Sequence, residues 1–277
     1  MTLSPADFTL LRDFVYDTTG IYFEENRQLL LEGRLQNRVL ELGLGSFEDY
    51  YYFLKYGDKD KRELNNLFEV ISTNETHFFR HPQQMEKLLT IVRDEFLQGR
   101  NPGSPLRIWS AGCSTGEEAY TMAVMLLELG ETLGEAVPFH IVGTDLSRNA
   151  LASARRAVYH AHSVRHVSPG LRDKYFTCDQ GRFALREEAK EQVAFDYMNL
   201  NDVESYRQYT CMDLILCRNV LIYFGEQMKW KVVDGLYGAM RAGGYLALGS
   251  SESLGHLSKL LKPVLSPGAL IYRKEGT

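Results

Sequence analysis

The stretch Ser110–Tyr120, SAGCSTGEEAY, places two glycines ahead of two adjacent glutamates. It follows a short apolar run, LRIWSA, and precedes an apolar helical pattern, so it joins a predicted strand to a predicted helix. Glycines at such a turn let the backbone come close to a bound ligand. Glu117 and Glu118 put negative charge at the helix start, where a phosphate group would otherwise bind. The turn therefore favours a ligand with positive charge beside it.

Three cofactors that bind at strand–turn–helix units can be compared with this turn. A dinucleotide needs G-x-G-x-x-G, and a P-loop needs a Lys beside Ser or Thr; neither occurs here. S-adenosylmethionine carries an ammonium and a sulfonium, which tolerate carboxylates. Gly112 would then approach the ligand, and Glu117 or Glu118 would pair with the ammonium. We choose Glu117, which is nearer the strand, although acidic residues also stabilise helix N-termini in general.

An aspartate at the end of the next predicted strand strengthens this interpretation. FHIVGTDLS has the pattern of a strand that ends at Asp145, 29 residues after Gly116. In sheets that bind nucleosides, an acidic residue at this place accepts hydrogen bonds from the ribose hydroxyl groups. The glycine turn and the aspartate together predict a nucleoside cofactor, and the missing third glycine favours S-adenosylmethionine over NAD.

The elements that position these residues are predicted by alternating patterns over 105–277. Apolar runs typical of strands occur at LRIWSA, FHIVGTDLS, VAFDYMNL, MDLILC, YLALGSSE and LIYRK, and helical patterns lie between most of them. This alternation predicts an α/β fold with a doubly wound, Rossmann-like and mostly parallel sheet. Ligands of such sheets bind beyond the carboxyl ends of the strands, where Gly112 and Asp145 are expected.

The first 80 residues carry helical patterns without a strand signal. SPADFTLLRDFVYDTTG begins with Ser and Pro and ends at Gly20, as a capped helix does. Residues 1–80 are therefore predicted to form a small all-helical domain, with a linker helix and loop at 81–104. In ENRQLLLEGRLQNRVLELGL, the residues expected to form the buried stripe are Leu29, Leu30, Leu35 and Val39.

One segment, at about 157–192, does not fit the alternation. It is polar, it contains Pro169, Gly170 and Gly181, and YFTCDQGRFALR predicts a small hairpin. We predict an inserted β-subdomain beside the ligand end of the sheet, where inserts often contact substrates or partners. The histidines of this insert are expected to be solvated, and we predict no metal site; they are His160, His162 and His166.

Five ordered motifs extend along the chain. They are TNETHFFR (73–80), WSAGCSTGEEAYT, GTDLS, CRNVLIYF (217–224) and GGYLALGSSESL. Together they resemble the chemotaxis receptor methyltransferase family, the CheR family, over nearly the whole chain. The resemblance implies a class I methyltransferase fold and a protein-glutamate O-methyltransferase. Such an enzyme transfers a methyl group from S-adenosylmethionine to chemoreceptor glutamates and leaves S-adenosylhomocysteine.

The resemblance also implies roles for residues at matching positions. Glu117 or Glu118 would hold the methionyl end of the cofactor, and Asp145 would hold the ribose. Asn199 and Leu200 would flank the adenine. The expected cofactor-binding residues are Asn74, Thr76, Arg80, Gly112, Glu117, Asp145, Asn199, Leu200, Arg218 and Asn219.

Methyl transfer to a glutamate requires little from the protein besides positioning. The carboxylate is already deprotonated at neutral pH, because its reference pKa is about 4.3. The sulfonium has a good leaving group, so in-line positioning and removal of water from the nucleophile remain. We therefore expect no catalytic triad and no catalytic metal. We predict that Arg80 and Tyr223 orient the substrate carboxylate.

Three arginines of the helical domain suit an acidic partner. Arg27, Arg34 and Arg38 fall within about 40° of one another on a helix. We predict that this basic stripe binds the cytoplasmic methylation helices of a chemoreceptor. In some relatives the insert also docks a receptor tail, but the short turn CDQGRF, with its single glycine, argues against tail docking in this chain.

Composition narrows the class of protein. A formal net charge of -5 gives no bulk attraction to nucleic acid or to an anionic membrane. The N-terminus lacks a signal-peptide pattern and no uncharged run reaches about 18 residues, so we predict a cytoplasmic protein without membrane insertion. The four cysteines lack C-x-x-C spacing and are expected to be buried free thiols. Two alternatives stay open: a methyltransferase of another protein or a small molecule, and a sensor that binds the cofactor without catalysis.

Overall fold

The computed structural model describes residues 1–98, 104–254, 260–264 and 268–276. Within these ranges the helices are α1 (Pro5–Thr19), α2 (Gln28–Glu41), α3 (Phe47–Tyr52), α4 (Arg62–Ile71), α5 (Pro82–Ile91), α6 (Glu117–Leu133), α7 (Arg148–Arg156), α8 (Pro169–Tyr175), α9 (Glu187–Lys190) and α10 (Glu226–Ala239). The strands are β1 (Leu106–Ala111), β2 (Phe139–Asp145), β3 (Val158–His160), β4 (Phe176–Asp179), β5 (Arg182–Leu185), β6 (Val193–Tyr197), β7 (Met212–Cys217), β8 (Met240–Leu248), β9 (Leu261–Val264) and β10 (Leu270–Lys274).

Helix α1 begins and ends where its sequence predicts. The Ser4 side chain accepts a hydrogen bond from the Asp7 N–H at 3.1 Å, which satisfies one donor of the first turn. Gly20 ends the helix with a φ of 78°, a left-handed conformation that costs glycine little. Helices α1 to α4 pack around one buried apolar cluster, so the predicted all-helical N-terminal part is confirmed.

The predicted buried stripe of α2 is wrong in part. Leu31, Leu35 and Val39 are fully buried, whereas Leu29 is 80% exposed and Leu30 is 41% exposed. Residues 31, 35 and 39 are four apart and therefore share one face of the helix. Three consecutive leucines fit more than one helical phase, and packing against α1 and α4 selects the phase that buries Leu31.

The large sheet has seven strands in the described ranges, in the order β6-β2-β1-β7-β8-β10-β9. Strands β6, β2, β1, β7 and β8 pair in parallel, and β10 pairs antiparallel with β8 and β9. The strand order reverses at β1, which sits between β2 and β7 and so marks the topological switch point. The predicted doubly wound, Rossmann-like sheet is confirmed.

Buried side chains cover both faces of this sheet. In β7, Leu214 and Leu216 belong to one apolar cluster, and Ile215 and Cys217 belong to another. Because neighbouring side chains of a strand point to opposite faces, the two clusters lie on opposite sides of the sheet. This two-sided burial fixes the strand ends on which the functional turns are built.

The insert contains the predicted hairpin and one strand that the sequence patterns do not predict. Strands β4 and β5 form the hairpin, and β3 adds to β5 to make a three-stranded antiparallel sheet. The Phe78 N–H donates to the carbonyl oxygen of Ser163 at 2.9 Å, which fastens the insert to the segment after α4. The domain boundaries at 80, 104, 157 and 192 stay predictions.

Two expectations concern the surface. Cys113 and Cys217 are buried free thiols as expected, but Cys178 and Cys211 are exposed, because they lie on the insert hairpin and in a turn. No helix among the described residues is long and apolar enough to cross a membrane.

Candidate functional site

The carboxyl ends of β1, β2 and β7 open into a cavity of about 300 Å³. The turns that follow these strands line one side, and residues 71–77, at the end of α4 and in the segment after it, line another. Of the eleven predicted cofactor-binding and catalytic residues, ten line this cavity; they are Asn74, Thr76, Arg80, Gly112, Asp145, Asn199, Leu200, Arg218, Asn219 and Tyr223.

Gly112 stands directly after β1 with a φ of 77°. Its N–H donates to the Thr144 carbonyl oxygen at 2.8 Å, which ties the turn to β2. A Cβ atom at this position would lie 2.5 Å from Cγ2 of Val220. The glycine therefore allows two turns to approach each other, besides any approach to a ligand.

Of the two glutamates, the structure places Glu118 and not the predicted Glu117 in the cavity wall. Glu117 is buried away from the cavity, where the hydroxyl of Thr115 donates to its Oε2 at 2.6 Å. Burial raises the pKa of this carboxyl group. Glu118 lines the cavity instead, one residue and about 100° further round the helix. The hydroxyl of Ser110 donates to Glu118 Oε1 at 2.7 Å, which fixes its carboxylate.

Asp145 ends β2 and is 9% exposed. Its Oδ2 accepts from the Ser114 N–H and its Oδ1 from the Ser147 N–H, each at 2.8 Å. Burial raises the pKa of the Asp145 carboxyl group, and these backbone hydrogen bonds act in the opposite direction. Each carboxylate oxygen keeps a lone pair, so Asp145 retains acceptor capacity toward the cavity.

Arg218 lines the cavity, but its guanidinium group is bound on the protein side. Nε donates to Gln84 Oε1 at 2.7 Å, and Nη1 donates to Glu118 Oε2 at 2.9 Å. Nη2 donates to the backbone carbonyl oxygen of Arg80. The Arg218 side chain is only 2% exposed, so it joins three segments of the site from within.

The segment TNETHFFR turns sharply around Arg80. Phe79 and His81 both have a φ of 55°, a conformation that non-glycine residues adopt rarely. Arg80 Nη1 donates to the Glu75 carbonyl oxygen at 3.0 Å, which closes the segment on itself. The His77 ring lies beside Arg165 of the insert, with 2.9 Å between His77 Nδ1 and Arg165 Nη2.

Asn199 and Leu200 follow β6 and connect the cavity to the helical domain. Asn199 Nδ2 donates to the Thr18 carbonyl oxygen at 2.7 Å, near the end of α1. Its Oδ1 accepts from the Asn201 N–H at 3.0 Å. Both polar ends of the Asn199 side chain thus have protein partners, and Leu200 contributes apolar surface.

Asn219 and Tyr223 come from the turn after β7. Asn219 has a φ of 61°, and its Oδ1 is the one buried side-chain polar atom of the described chain without a hydrogen-bond partner. Asn219 belongs to the cavity wall, although this oxygen is itself enclosed by protein atoms. The Tyr223 carbonyl oxygen accepts from the Tyr22 N–H at 2.9 Å, so the helical domain holds this turn as well.

The basic stripe predicted on α2 is not a row of solvated cations. Arg27 is exposed, but Arg34 donates to the Ile71 carbonyl oxygen and to Thr73 Oγ1. Arg38 pairs with Glu63 and with Glu41. Burial lowers the pKa of Arg34. The acceptors that bind Arg34, and the Glu63 carboxylate that binds Arg38, come from α4 and from the turn after it. A helical wheel of α2 alone does not show residues of another helix, so it does not predict these contacts.

The sequence patterns did not single out two buried polar residues beside the cavity. Gln84 is 1% exposed and Glu252 is 5% exposed. Gln84 sits in the first turn of α5, where no motif indicates it. Glu252 is the last residue of the predicted strand run YLALGSSE, and an acidic residue at the carboxyl end of a strand is a sequence signal for a site residue.

Comparisons with known proteins agree with this arrangement. Residues 74–268 match the family described as "CheR methyltransferase, SAM binding domain", and residues 6–72 match "CheR methyltransferase, all-alpha domain". The chain is 33% identical over 261 residues to "Chemotaxis protein methyltransferase 2" of Vibrio cholerae, covering 94% of this chain and 90% of that protein. It is 34% identical over 277 residues to "Chemotaxis protein methyltransferase 1" of Pseudomonas aeruginosa, covering 99% of each.

The matched regions contain the helical part and the sheet with its insert, and the cavity lies where they meet. The cofactor of the matched family is S-adenosylmethionine. From these matches and from the fold, we conclude that the chain belongs to the CheR methyltransferase family.

Proposed function

We propose that this protein transfers a methyl group from S-adenosylmethionine to glutamate side chains of chemoreceptors and so forms glutamyl methyl esters. The observation that carries the proposal is the shared cavity of Glu118, Asp145, Arg80 and Tyr223. The two carboxylates suit a cationic nucleoside cofactor, and an arginine and a tyrosine in the same cavity suit an anionic nucleophile. The names of the relatives from Vibrio cholerae and Pseudomonas aeruginosa support a chemotaxis substrate.

The cavity residues fit the cofactor chemically. Glu118 would pair with the ammonium group, Asp145 would accept from the ribose hydroxyls, and Asn219 would form part of the wall around the ligand. Leu200 and Met198 supply apolar surface for a base. When bound, S-adenosylmethionine supplies an electrophilic methyl group on a cationic sulfur. Glu117 is not part of this set.

Arg80 and Tyr223 would orient the acceptor carboxylate. Nη1 of Arg80 already donates to the Glu75 carbonyl oxygen, which leaves other N–H groups of the fork available. An arginine shared in this way positions a carboxylate without fully neutralising its charge, so the carboxylate stays nucleophilic. No group has to remove a proton, because the glutamate is ionised at neutral pH.

The receptor side of the proposal rests on the helical domain. Arg27 offers an exposed cation at the start of α2, and Arg34 is bound to Thr73, which lines the cavity. We propose that the acidic methylation helices of a chemoreceptor cross this region, which would place a glutamate at the cavity. A cytoplasmic location would give access to these helices.

The proposal is tested by incubating the protein with methyl-labelled S-adenosylmethionine and a chemoreceptor cytoplasmic fragment. We expect label on the receptor that mild base releases, because glutamyl methyl esters are base-labile. A receptor fragment whose methylated glutamates are changed to alanine is the matched control. Base-stable label, or tight cofactor binding without any transfer, would favour another methyltransferase substrate or a sensor instead.

A further inference from the structure

Glu252 is a buried carboxylate whose hydrogen-bond partners are backbone N–H groups. It lies in the turn after β8 and is 5% exposed. Its Oε2 accepts from the Asn219 N–H at 2.6 Å and from the Gly249 N–H at 2.7 Å. Its Oε1 accepts from the Ile222 N–H at 3.1 Å. All three of these hydrogen bonds are donated by backbone N–H groups, so the main chain holds both oxygens of the carboxylate.

These contacts join two neighbouring turns at the carboxyl edge of the sheet. Strands β7 and β8 are parallel neighbours, so the turns that follow them lie side by side. The Glu252 carboxylate spans this gap and holds the second turn at Asn219 and at Ile222. The site residues Asn219 and Tyr223 stand within or next to the held segment.

The held segment has a conformation that needs support. Asn219 adopts a φ of 61°, which costs free energy in a residue other than glycine. The segment from Leu221 to Tyr223 is one turn of 3-10 helix, whose first N–H groups have no partner within the helix. Glu252 supplies an acceptor for one of them, and it fixes Asn219 with its unpartnered Oδ1 inside the cavity wall.

Gly249 makes room for this contact. A Cβ atom at position 249 would lie 2.6 Å from Glu252 Oε2 and 2.9 Å from the Asn219 nitrogen. A side chain there would push the carboxylate away from Asn219. The glycine and the glutamate therefore act as one unit.

We propose that Glu252 is a positioning residue for the cofactor site, which acts through the backbone of Asn219 and Ile222 without touching the cofactor. This inference rests on the proposed placement of the cofactor beside Asn219. The carboxylate sets the direction of the Asn219 side chain, and Asn219 then meets the ligand. Glu252→Gln keeps the shape of the side chain but turns one acceptor into a donor that opposes a backbone N–H.

The experiment measures the Kd of S-adenosylhomocysteine by calorimetry for the full chain and its variants. We expect Glu252→Gln to raise this Kd about 10- to 100-fold, since charge-assisted acceptors are lost. Glu226→Gln, an exposed carboxylate at the start of α10, is the matched control and should leave the Kd unchanged. Thermal unfolding without ligand shows whether each variant is folded.

A double-mutant cycle with Asn219→Ala separates positioning from general damage to the fold. If Glu252 acts through Asn219, the double variant should bind S-adenosylhomocysteine no more weakly than Asn219→Ala alone. A folded Glu252→Gln variant with the wild-type Kd would overturn the proposal, and so would fully additive effects. Should Glu252→Gln not fold, Glu252→Asp, which keeps the charge and withdraws it by one methylene, is judged by the same criteria.

If a chemoreceptor is not the substrate, the labelling experiment fails but the binding experiment on Glu252 is unaffected. Wild-type protein that binds S-adenosylhomocysteine but does not label a chemoreceptor would contradict the receptor assignment alone. The dependence of the Kd on Glu252 would still decide this inference.

Discussion

The guanidinium group of Arg218 holds the backbone carbonyl oxygen of Arg80 at 2.5 Å, across 138 residues of sequence. The contact fixes the segment that carries Arg80 against the turn after β7. The same guanidinium holds Glu118 and Gln84. One buried cation thus sets the relative position of three parts of the cavity wall.

Replacing Arg218 by lysine tests whether its guanidinium group holds the three parts of the cavity wall together. A single ammonium cannot reach three acceptors in different directions, so buried acceptors would lose their partners. We expect Arg218→Lys to lower the free energy of unfolding by about 2–4 kcal/mol, measured by urea denaturation. Arg207→Lys changes an exposed arginine paired with Glu204 and should have no measurable effect. Equal stability of the two variants would contradict the role of Arg218.

Glu118 and Glu117 should differ in their effect on cofactor binding. Glu118 lines the cavity and Glu117 does not. Glu118→Gln removes the charge that would meet the ammonium, and we expect the Kd of S-adenosylhomocysteine to rise by about tenfold or more. Glu117→Gln should leave this Kd within about twofold, because the Glu117 side chain faces Thr115. The opposite order of effects, measured by calorimetry, would restore Glu117 to the site.

Arg80→Ala should slow methyl transfer while the fold survives. Among the described residues, the Arg80 side chain makes one hydrogen bond, to the Glu75 carbonyl oxygen, and it is not part of the apolar core, so its loss removes little from the fold. Misplacement of the acceptor carboxylate should lower kcat by about 100-fold, measured with labelled cofactor and a receptor fragment. Arg93→Ala, which changes an exposed arginine paired with Asp94, is the control. An unchanged kcat in Arg80→Ala would remove Arg80 from the proposed mechanism.

The His77 ring should make the protein less stable in mild acid. Burial and the nearby Arg165 lower the pKa of His77 to about 4. The unfolded chain binds a proton at this histidine below about 6.5 and the folded chain does not, so stability falls as the pH drops from 6.5 toward 4. The ring is only part-buried, so we expect an effect on the order of 1 kcal/mol after solvent screening.

Urea unfolding at pH 7 and pH 5 tests this expectation. His77→Gln has no group that titrates in this range, so it should lose less stability than the wild type between the two pH values. His140→Gln, which changes an exposed histidine of β2, should behave like the wild type. An unaltered pH dependence in His77→Gln would show that His77 does not cause it.

The sequence patterns predicted most of the fold because its elements carry local signals. Ser4 and Gly20 determine the ends of α1. The unbroken apolar run of β7 fits its place in the middle of a sheet that is covered on both faces, where all six of its residues are buried. Strand β9 was missed because Lys262 and Pro263 occupy its centre, a composition that suits an edge strand but gives no apolar run.

The sequence patterns did not predict features that depend on contacts between segments distant in the sequence. The helical phase of α6 decides that Glu118 faces the cavity, and the turn at Gly116 sets that phase. Arg38 forms a part-buried ion pair with Glu63, which comes from another helix. Glu252 joins two turns that are neighbours only in the folded sheet. Residue type and spacing along one element cannot indicate such partners.

Gly112 and Gly134 provide a matched pair that isolates the close approach of two turns. Both have a positive φ, 77° and 71°, but a Cβ atom would meet Val220 at 2.5 Å only at position 112, and nothing lies within 4 Å at position 134. Gly134→Ala should therefore show only the cost of the backbone conformation, about 1 kcal/mol. Gly112→Ala adds the overlap with Val220, and we expect a further loss of about 1–3 kcal/mol.

Urea unfolding of both variants measures the difference, and calorimetry with S-adenosylhomocysteine shows whether the displaced Val220 disturbs the neighbouring Asn219. Val220→Ala in the Gly112→Ala background should recover part of the lost stability, because it removes the atom that Cβ would meet. Equal losses in Gly112→Ala and Gly134→Ala would mean that the turn relaxes away from Val220. In that case the glycine at 112 would be needed for its backbone conformation alone.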